Sequence, residues 1–393
     1  MDWIVYDIEV FINFFYILCR NITKGVTFSY EISPTKDERK ELLEYLNNTN
    51  QLMIGFNNLK FDWPLLNHFE DLMKRYPNMS IDVLNNNLKK KANQLIKSSF
   101  VHPNNKILQL DLLKLNHYDN KNRSCSLKAL EFAMRMDNVQ ELPYEHTAIL
   151  TEDEMKVVRT YCGNDIEATI NLCKLSHQNI QDRFKSSSVY NTNLLNYNDA
   201  KIGEFILNNK LIINLNKENL GQTYRDHIII NDIIFSYIIF NSDAFNNLLL
   251  YFKSKTIEGT KNVFTEIPLE EIEHLKPNIN IIKFKKIYLK KLNVLYKDFE
   301  FTYGTGGLHG AEKGIFISDI DYVIMSCDVS SLYPNIAIRN RLYPQHLGET
   351  FCDIYESIYE ERKKYPKSDS RNGLYKLALN GENSLYLKKV LLY

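Results

Sequence analysis

The first 185 residues alternate between short runs rich in β-branched and aromatic residues and longer segments with apolar residues at helical spacing. The short runs predict five strands, at Trp3–Ile8, Phe14–Leu18, Val26–Glu31, Gln51–Phe56 and Ile107–Asp111. The longer segments predict four helices, at Lys36–Tyr45, Phe61–Lys74, Ser126–Met136 and Thr151–His177. Three strands followed by alternating helices and strands indicate an α/β fold with a mixed sheet.

Two of these predicted helices carry start signals. Ser33 and Pro34 are typical of an N-cap and a first helical position, and they predict that the first helix opens there. Thr151 and Glu154 have the spacing of a capping box, in which each side chain accepts a hydrogen bond from the other residue's backbone.

The periodicity weakens after residue 185, and Asn-rich joints separate short apolar segments. The sequence therefore predicts three parts: residues 1–185, a connecting region over 186–300, and residues 301–393. The connecting region ends in a basic stretch with interleaved aromatic residues, namely Lys283, Phe284, Lys285, Lys286, Tyr288, Lys290, Lys291, Tyr296 and Lys297. Two interpretations stay open, a solvated face and a surface that tracks phosphates while its aromatic rings stack on bases.

Composition narrows the function classes. Lys and Arg number 48, and so do Asp and Glu, so any binding to nucleic acid must use local patches rather than a bulk positive charge. The six cysteines have no CxxC or zinc-finger spacing, which predicts free thiols in a reducing compartment. The longest apolar stretch, Ile228–Phe240, is shorter than the roughly 18–20 residues that span a bilayer. With no signal peptide at the amino terminus, we expect a soluble protein of the cytoplasm.

The most informative polar residues in the first part are acids on apolar elements. Asp7 and Glu9 stand two apart in a strand of Trp, Ile, Val and Tyr, so their side chains leave the same face. Two carboxylates buried side by side need compensation, which a divalent cation supplies. Surface acids or salt-bridge partners are the alternative for such a pair taken alone.

Two further elements carry acids. Asp62 lies at the start of the predicted helix that follows the strand ending near Gly55. The ends of such strands are where α/β sheets bind ligands. The alternative is that an acid in the first turn interacts favourably with the helix dipole. Tyr161 and Asp165 stand four apart on a helix and therefore share one face. The chain thus has the order Asp-x-Glu, Asn-Asn-x-x-Phe-Asp and Tyr-x-x-x-Asp.

This order resembles the proofreading exonuclease domain of family B DNA polymerases over residues 1–185. The resemblance implies a ribonuclease-H-like fold in which Asp7, Glu9, Asp62 and Asp165 hold two Mg²⁺ ions, with Mn²⁺ as a plausible substitute. Two metals can activate water, neutralise the phosphoryl oxygens and stabilise the leaving oxygen.

The same resemblance gives roles to the neighbours of these acids. Tyr161 would orient the attacking water, and Asn58 would hold the terminal nucleotide, although Asn also caps helices. Phe61 and Phe11 are candidates for stacking on unpaired bases, and for both the core is the favoured alternative.

A second resemblance lies in residues 301–393. Met325–Pro334 predicts a buried strand that ends in Asp328 and a tight turn, and its Asp-x-x-Ser-Leu-Tyr-Pro pattern matches the first palm motif of family B polymerases. The match implies that Asp328 binds the catalytic metals, that Ser331 and Leu332 meet the triphosphate, and that Tyr333 packs under the sugar. A plain strand and Tyr-Pro turn is the alternative.

The segments on either side extend this resemblance. Tyr303–His309, rich in glycine, resembles the linker between exonuclease and palm. Residues 362–380 resemble the start of the fingers, where Arg362, Lys376 and Asn380 would contact the incoming nucleotide. After Asn380 the chain departs from the family pattern, and the second palm carboxylate motif and the thumb are missing from it. We therefore expect a chain truncated in a partial α+β palm and fingers.

The resemblance implies a viral or phage DNA-directed DNA polymerase with 3′→5′ proofreading. Its partners would be primer-template DNA, a single-stranded DNA 3′ end, dNTP if the polymerase site is completed, and a second polymerase chain. It would not bind a membrane, and it would act in the host cytoplasm. Two alternatives stay open, a stand-alone exonuclease and a non-catalytic primer-template-binding half of a split polymerase.

Overall fold

The structure is a computed structural model that describes residues 1–97, 106–120, 123–216, 220–221, 223, 225–258, 292–297, 299–304, 307–369 and 371–380. The chain divides into two compact units, Met1–Ile202 and Gly203–Tyr393. Within the residues described, no helix combines the length and apolar character needed to cross a membrane.

A five-stranded mixed sheet forms the centre of the first unit. Its strands are β1 (Trp3–Val10), β2 (Phe15–Asn21), β3 (Val26–Ile32), β4 (Leu52–Gly55) and β5 (Gln109–Asp111). They stand in the order β3-β2-β1-β4-β5. The first three pair antiparallel, whereas β4 runs parallel to β1 and β5 runs parallel to β4. The prediction of an α/β fold with a mixed sheet is confirmed.

Helices cover both faces of this sheet. They are α1 (Arg39–Asn48), α2 (Asp62–Arg75), α3 (Ile81–Lys97), α4 (Leu112–Leu115), α5 (Leu127–Ala133), α6 (Glu152–Leu175) and α7 (His177–Tyr190). A further helix, α8 (Asp199–Leu215), begins at the end of this unit, and most of its residues belong to the second unit. The alternation along β1 separates two cores. Ile4, Tyr6 and Ile8 join one cluster with residues of α1, α2 and α3, whereas Val5 belongs to a cluster with residues of α5, α6 and α7. Odd-numbered side chains of β1 therefore face the α6 layer.

The start of the first helix was predicted wrongly. Ser33 does not cap a helix; its hydroxyl donates to Glu31 at 2.7 Å, and its backbone pairs with that of Lys36 in a turn. A bridge between Ile32 and Asp37 extends the sheet past the turn, so α1 begins only at Arg39. Strand pairing thus overrides the local Ser-Pro signal.

Helix α3 was not predicted at all. Its sequence is rich in Asn and Lys, which obscure the apolar residues at helical spacing. In the structure Leu84, Leu88 and Leu95 are buried along one face. Helix α7 was also missed, as were α8 and α10 (Asp243–Lys253) in the predicted connecting region.

The second unit consists of small sheets and helices. β6 (Ile228–Ile229) and β7 (Thr256–Ile257) form one pair, and β8 (Asn293–Tyr296), β9 (Phe299–Gly304) and β10 (Gly307–Gly310) form an antiparallel sheet. The helices are α9 (Ile230–Ile233), α10, α11 (Leu332–Arg339), α12 (Thr350–Lys363) and a further helical segment over 371–380.

The strand predicted to end in Asp328 is not formed. Residues 323–330 have no regular secondary structure, and Met325 and Val329 are 80% and 60% exposed. An apolar run becomes a strand only when another strand accepts its hydrogen bonds, and no described strand pairs with this one. Asp328 itself is exposed.

Candidate metal and nuclease site

Strand β1 carries the first two acids of the candidate site. Asp7 and Glu9 share the face of β1 that Val5 presents to the α6 layer. Glu9 is 6% exposed, and its carboxylate has no hydrogen bond or ion pair to any residue that the structure describes. The central position of β1 between β2 and β4 fixes both acids in a rigid element.

Helix α6 brings three more side chains to these acids. The predicted capping box forms at its start, where Thr151 and Glu154 exchange hydrogen bonds. Three turns later, Cys162 lies with its Sγ 3.7 Å from Asp7 Oδ2. Tyr161 lies on the same face as Asp165, as the four-residue spacing predicts, and the two side chains influence each other's pKa.

The fourth acid follows the turn after β4. Buried Asp111 at the end of β5 accepts hydrogen bonds from the backbone N–H of Asn57 at 2.9 Å and of Leu59 at 3.3 Å. These bonds hold Asn57 in a left-handed conformation with φ of 63°. Asp62 is then the first residue of α2 and is only 4% exposed.

Asn58 lies in the core beneath this turn rather than at the surface. Its side chain is fully buried, and its amide donates to Gln109 Oε1 at 3.0 Å and to the Tyr6 hydroxyl at 3.3 Å. Phe11 is also fully buried, and its ring lies beside that of His146 in a tilted arrangement, with centroids 5.8 Å apart. Phe61 is half-buried against the apolar cluster that includes residues of α1, α2 and α3.

The pKa values of the four acids are raised by burial and, for Asp7, Glu9 and Asp165, also by other acids of the group. Burial first, then the neighbouring Asp62, raises the pKa of Asp7 to about 8. Burial and then Asp7 raise the pKa of Asp165 to about 8, and burial raises that of Asp62 to about 7. Burial, Asp7, Asp165 and Asp62 together raise the pKa of Glu9 well above its usual range, which the buried amine of Lys89 opposes.

This cluster fits a divalent cation. Ligand atoms of Asp7, Glu9 and Cys162 all lie within 4.8 Å of one another. A cation would relieve the repulsion between the carboxylates and provide the buried Glu9 oxygens with a partner. Asp62 and Asp165 interact electrostatically with this group from two other elements.

The residues predicted in the second unit are brought together only in part. Arg362 on α12 donates to the Ser331 hydroxyl at 3.1 Å, and Ser331 adopts a left-handed conformation at the start of α11. Leu332 and Tyr333 are about half exposed, and Lys376 and Asn380 are exposed on the helical segment 371–380. No hydrogen bond or ion pair joins the Asp328 side chain to these residues in the described part of the unit.

The basic stretch is largely beyond the described residues. Lys283 to Lys291 lie outside them, as do Thr305 and Gly306 of the glycine-rich segment. Lys297 is described, and its amine lies 5.4 Å from the centre of the Tyr296 ring.

Three residues of the site were missed in the sequence. Asp111, Lys89 and Cys162 reach it only through tertiary packing, and none belongs to a pattern that marks it. For Cys162 a signal was present, because it follows Tyr161 directly on the helix. Comparisons of the chain with protein-family models, with curated proteins and with solved structures give no match.

Proposed function

We propose that the first unit is a metal-dependent 3′→5′ exonuclease with a ribonuclease-H-like fold. The observation that carries the proposal is the convergence of Asp7, Glu9, Asp62 and Asp165 from a strand and two helices into one partly buried group whose carboxylates raise one another's pKa. Structural ion pairs would bring cations to these acids, whereas here, among the described residues, the four carboxylates outnumber the two lysines that oppose their repulsion, Lys89 and Lys128. Such an arrangement is typical of a site that awaits divalent metal.

The residues of the site would have separate roles in the reaction. The four carboxylates would hold Mg²⁺ or Mn²⁺, and the buried β1 and α6 fix their positions. Bound divalent ions would supply charge neutralisation on the phosphoryl oxygens and activation of water. Tyr161 stays protonated because burial and Asp165 raise its pKa, so its hydroxyl can orient a water molecule by hydrogen bonding.

The substrate would be the 3′ end of single-stranded DNA. This part of the proposal rests on the resemblance of the three acid motifs to family B DNA polymerases, with which we propose that the chain is related. Asn58 is not proposed to contact the substrate, since its side chain is buried and hydrogen-bonded in the core.

The test is digestion of a 3′-labelled single-stranded oligonucleotide with Mg²⁺. Asp7→Asn and Asp165→Asn should each remove nearly all release of label, and Tyr161→Phe should slow it by about 10²-fold because it loses one positioning hydrogen bond. Asp71→Asn, an exposed aspartate on α2, is the matched control and should retain full activity. Parental rates in both site variants would refute the proposal.

A second candidate function concerns the second unit. We propose that it binds a nucleoside triphosphate as part of a polymerase palm and fingers, and the hydrogen bond from Arg362 to Ser331 favours this. A guanidinium held beside a hydroxyl and a helix start suits a phosphate group.

Equilibrium dialysis with dNTP and Mg²⁺ tests the second candidate. Arg362→Ala should weaken binding by at least about tenfold, because a charge-assisted hydrogen bond is lost. Arg371→Ala, an exposed arginine paired with Asp369, should leave it unchanged. Equal affinities of the parent and Arg362→Ala would exclude this site.

A further inference from the structure

Cys162 lies in the acid cluster and has no role in the proposed nuclease chemistry. It is buried on α6, and its thiol lies against Asp7, with Sγ 3.7 Å from Oδ2 and 3.9 Å from the backbone oxygen. A site for Mg²⁺ needs oxygen ligands only, because that ion binds hard donors. A thiol among the carboxylates changes which ions the site can hold.

We propose that Cys162, Asp7 and Glu9 form a binding site for a thiophilic divalent cation of the Zn²⁺ or Cd²⁺ class, which displaces the hard metal and inhibits the enzyme. Binding by these three residues does not depend on the nuclease assignment. The inhibitory consequence does rest on the proposed function.

The geometry suits such an ion. Sulfur at about 2.3 Å and oxygen at about 2.1 Å from one tetrahedral ion lie about 3.6 Å apart. The observed separation of Cys162 Sγ and Asp7 Oδ2 is 3.7 Å. All three ligand atoms lie within 4.8 Å of one another, so side-chain rotation can bring each within bonding distance of an ion.

Glu9 provides an independent indication. The whole Glu9 residue is 6% exposed, and its carboxylate has no hydrogen-bond or ion-pair partner among the described residues, although it lies beside Asp7 and Cys162. A buried carboxylate without a partner is costly, and a cation removes the cost.

The chemistry distinguishes two classes of metal. Thiolate is a soft ligand that selects Zn²⁺ and similar ions over Mg²⁺ and Ca²⁺. On binding, the S–H bond of Cys162 breaks, its proton passes to water, and the sulfur lone pair forms the bond to the ion, so no oxidation occurs. One such ion occupies the oxygens of Asp7 and Glu9 that a hard metal requires.

The test is a titration of the metal-free full chain with Cd²⁺, followed by the ultraviolet thiolate-to-cadmium charge-transfer band. Cys125→Ser and Cys327→Ser are introduced first, because these two thiols are not buried. We expect one band that saturates at one Cd²⁺ per chain. Cys162→Ser should abolish it, and Cys173→Ser, a buried thiol on the same helix, should retain it.

Glu9→Gln keeps the thiol and should lower the Cd²⁺ affinity by at least about tenfold. It also decides the matter if Cys162→Ser fails to fold, since undiminished affinity in Glu9→Gln would overturn the proposal. Absence of the band in the parent, or an equal band in a folded Cys162→Ser chain, would overturn it as well.

Nuclease assays complete the design. Zn²⁺ added at fixed Mg²⁺ should inhibit the parent, and it should lower the activity of Cys162→Ser by a smaller fraction of that variant's own rate. A parent that binds Cd²⁺ through Cys162 but never degrades DNA would refute the proposed nuclease and leave the metal site standing.

Discussion

Asp7 links the candidate site to the stability of the first unit. Its pKa is raised from 3.8 to about 8, so the folded chain holds a proton that the unfolded chain has released at neutral pH. The stabilisation by that proton is complete below the unfolded pKa and is lost as the pH rises through about 8. Without metal, the unit should therefore become less stable between pH 4 and 9.

The Asp7→Asn variant tests the direction of this pH dependence of stability. In chelator at pH 9, the variant should be more stable than the parent by on the order of 1–3 kcal/mol, because the amide is never charged. At pH 4 the two should be alike, and with saturating Mg²⁺ the parent should gain more than the variant. Thermal unfolding across this pH range measures it, with Asp71→Asn as control. A variant less stable at every pH would contradict the expected sign.

Asn58 should matter for stability before it matters for DNA. Asn58→Ala removes the amide that joins Gln109 and Tyr6, and we expect a loss of about 1–2 kcal/mol in the free energy of unfolding. The cost stays moderate because Tyr6 still donates to Gln109 at 2.9 Å. Denaturant unfolding without DNA measures it, with the exposed Asn86→Ala as control. Unchanged stability combined with weaker DNA binding would mean that Asn58 contacts the substrate.

At the scale of elements, two glycines near the site should respond oppositely to the same change. A Cβ on Gly55 would lie 2.6 Å from Asn58 Cβ, so Gly55→Ala must displace the turn before Asp62 and should cost about 1–3 kcal/mol. A Cβ on Gly163 would meet only Leu18 at 4.0 Å. Since Gly163 lies inside α6, Gly163→Ala should stabilise the chain by about 0.5–1 kcal/mol.

Thermal unfolding and the nuclease assay together measure this pair. Gly55→Ala should lose activity as well as stability, because the turn positions Asp62. Equal effects of the two substitutions would mean that the close approach at Gly55 is not a constraint.

The elements also show what the sequence could predict. β1 to β5 were predicted because β-branched and aromatic residues cluster in them, and α6 because Thr151 and Glu154 mark its start. Signals of this kind act within a few residues. α3 was missed because Asn and Lys obscure its apolar face, and the strand at Asp328 was wrong because strand formation depends on a partner elsewhere in the chain.

In the candidate site, too, local sequence signals predicted some residues, whereas residues brought in by tertiary packing were missed. Its four acids were predicted from spacing on single elements, and their mutual repulsion agrees with a shared location. Asp111 and Lys89 could not be predicted, since they reach the site by packing from distant segments. Asn58 was expected to face a substrate, but its burial depends on a hydrogen bond to Gln109, 51 residues away.

At the scale of the whole molecule, the proposed nuclease acids all belong to the first unit, whereas Asp328 belongs to the second. Asp328→Ala should therefore leave the degradation of single-stranded DNA unchanged. Asp165→Asn should abolish the degradation and leave the binding of dNTP intact. The two assays on the same pair of full-length variants check this separation, and a loss of nuclease activity in Asp328→Ala would show that the units act together.

The sheet order has a consequence for the time at which the nuclease arises. β1 is synthesised first and stands at the centre of the sheet, yet Asp165, on a helix packed over it, follows Asp7 by 158 positions. At about 5–20 residues per second, a ribosome takes roughly 8–30 s to cover that interval. If the proposed function holds, a nascent chain cannot cut nucleic acid until α6 has emerged. A chain released before Glu152 would carry three of the four acids and remain harmless to the DNA around it.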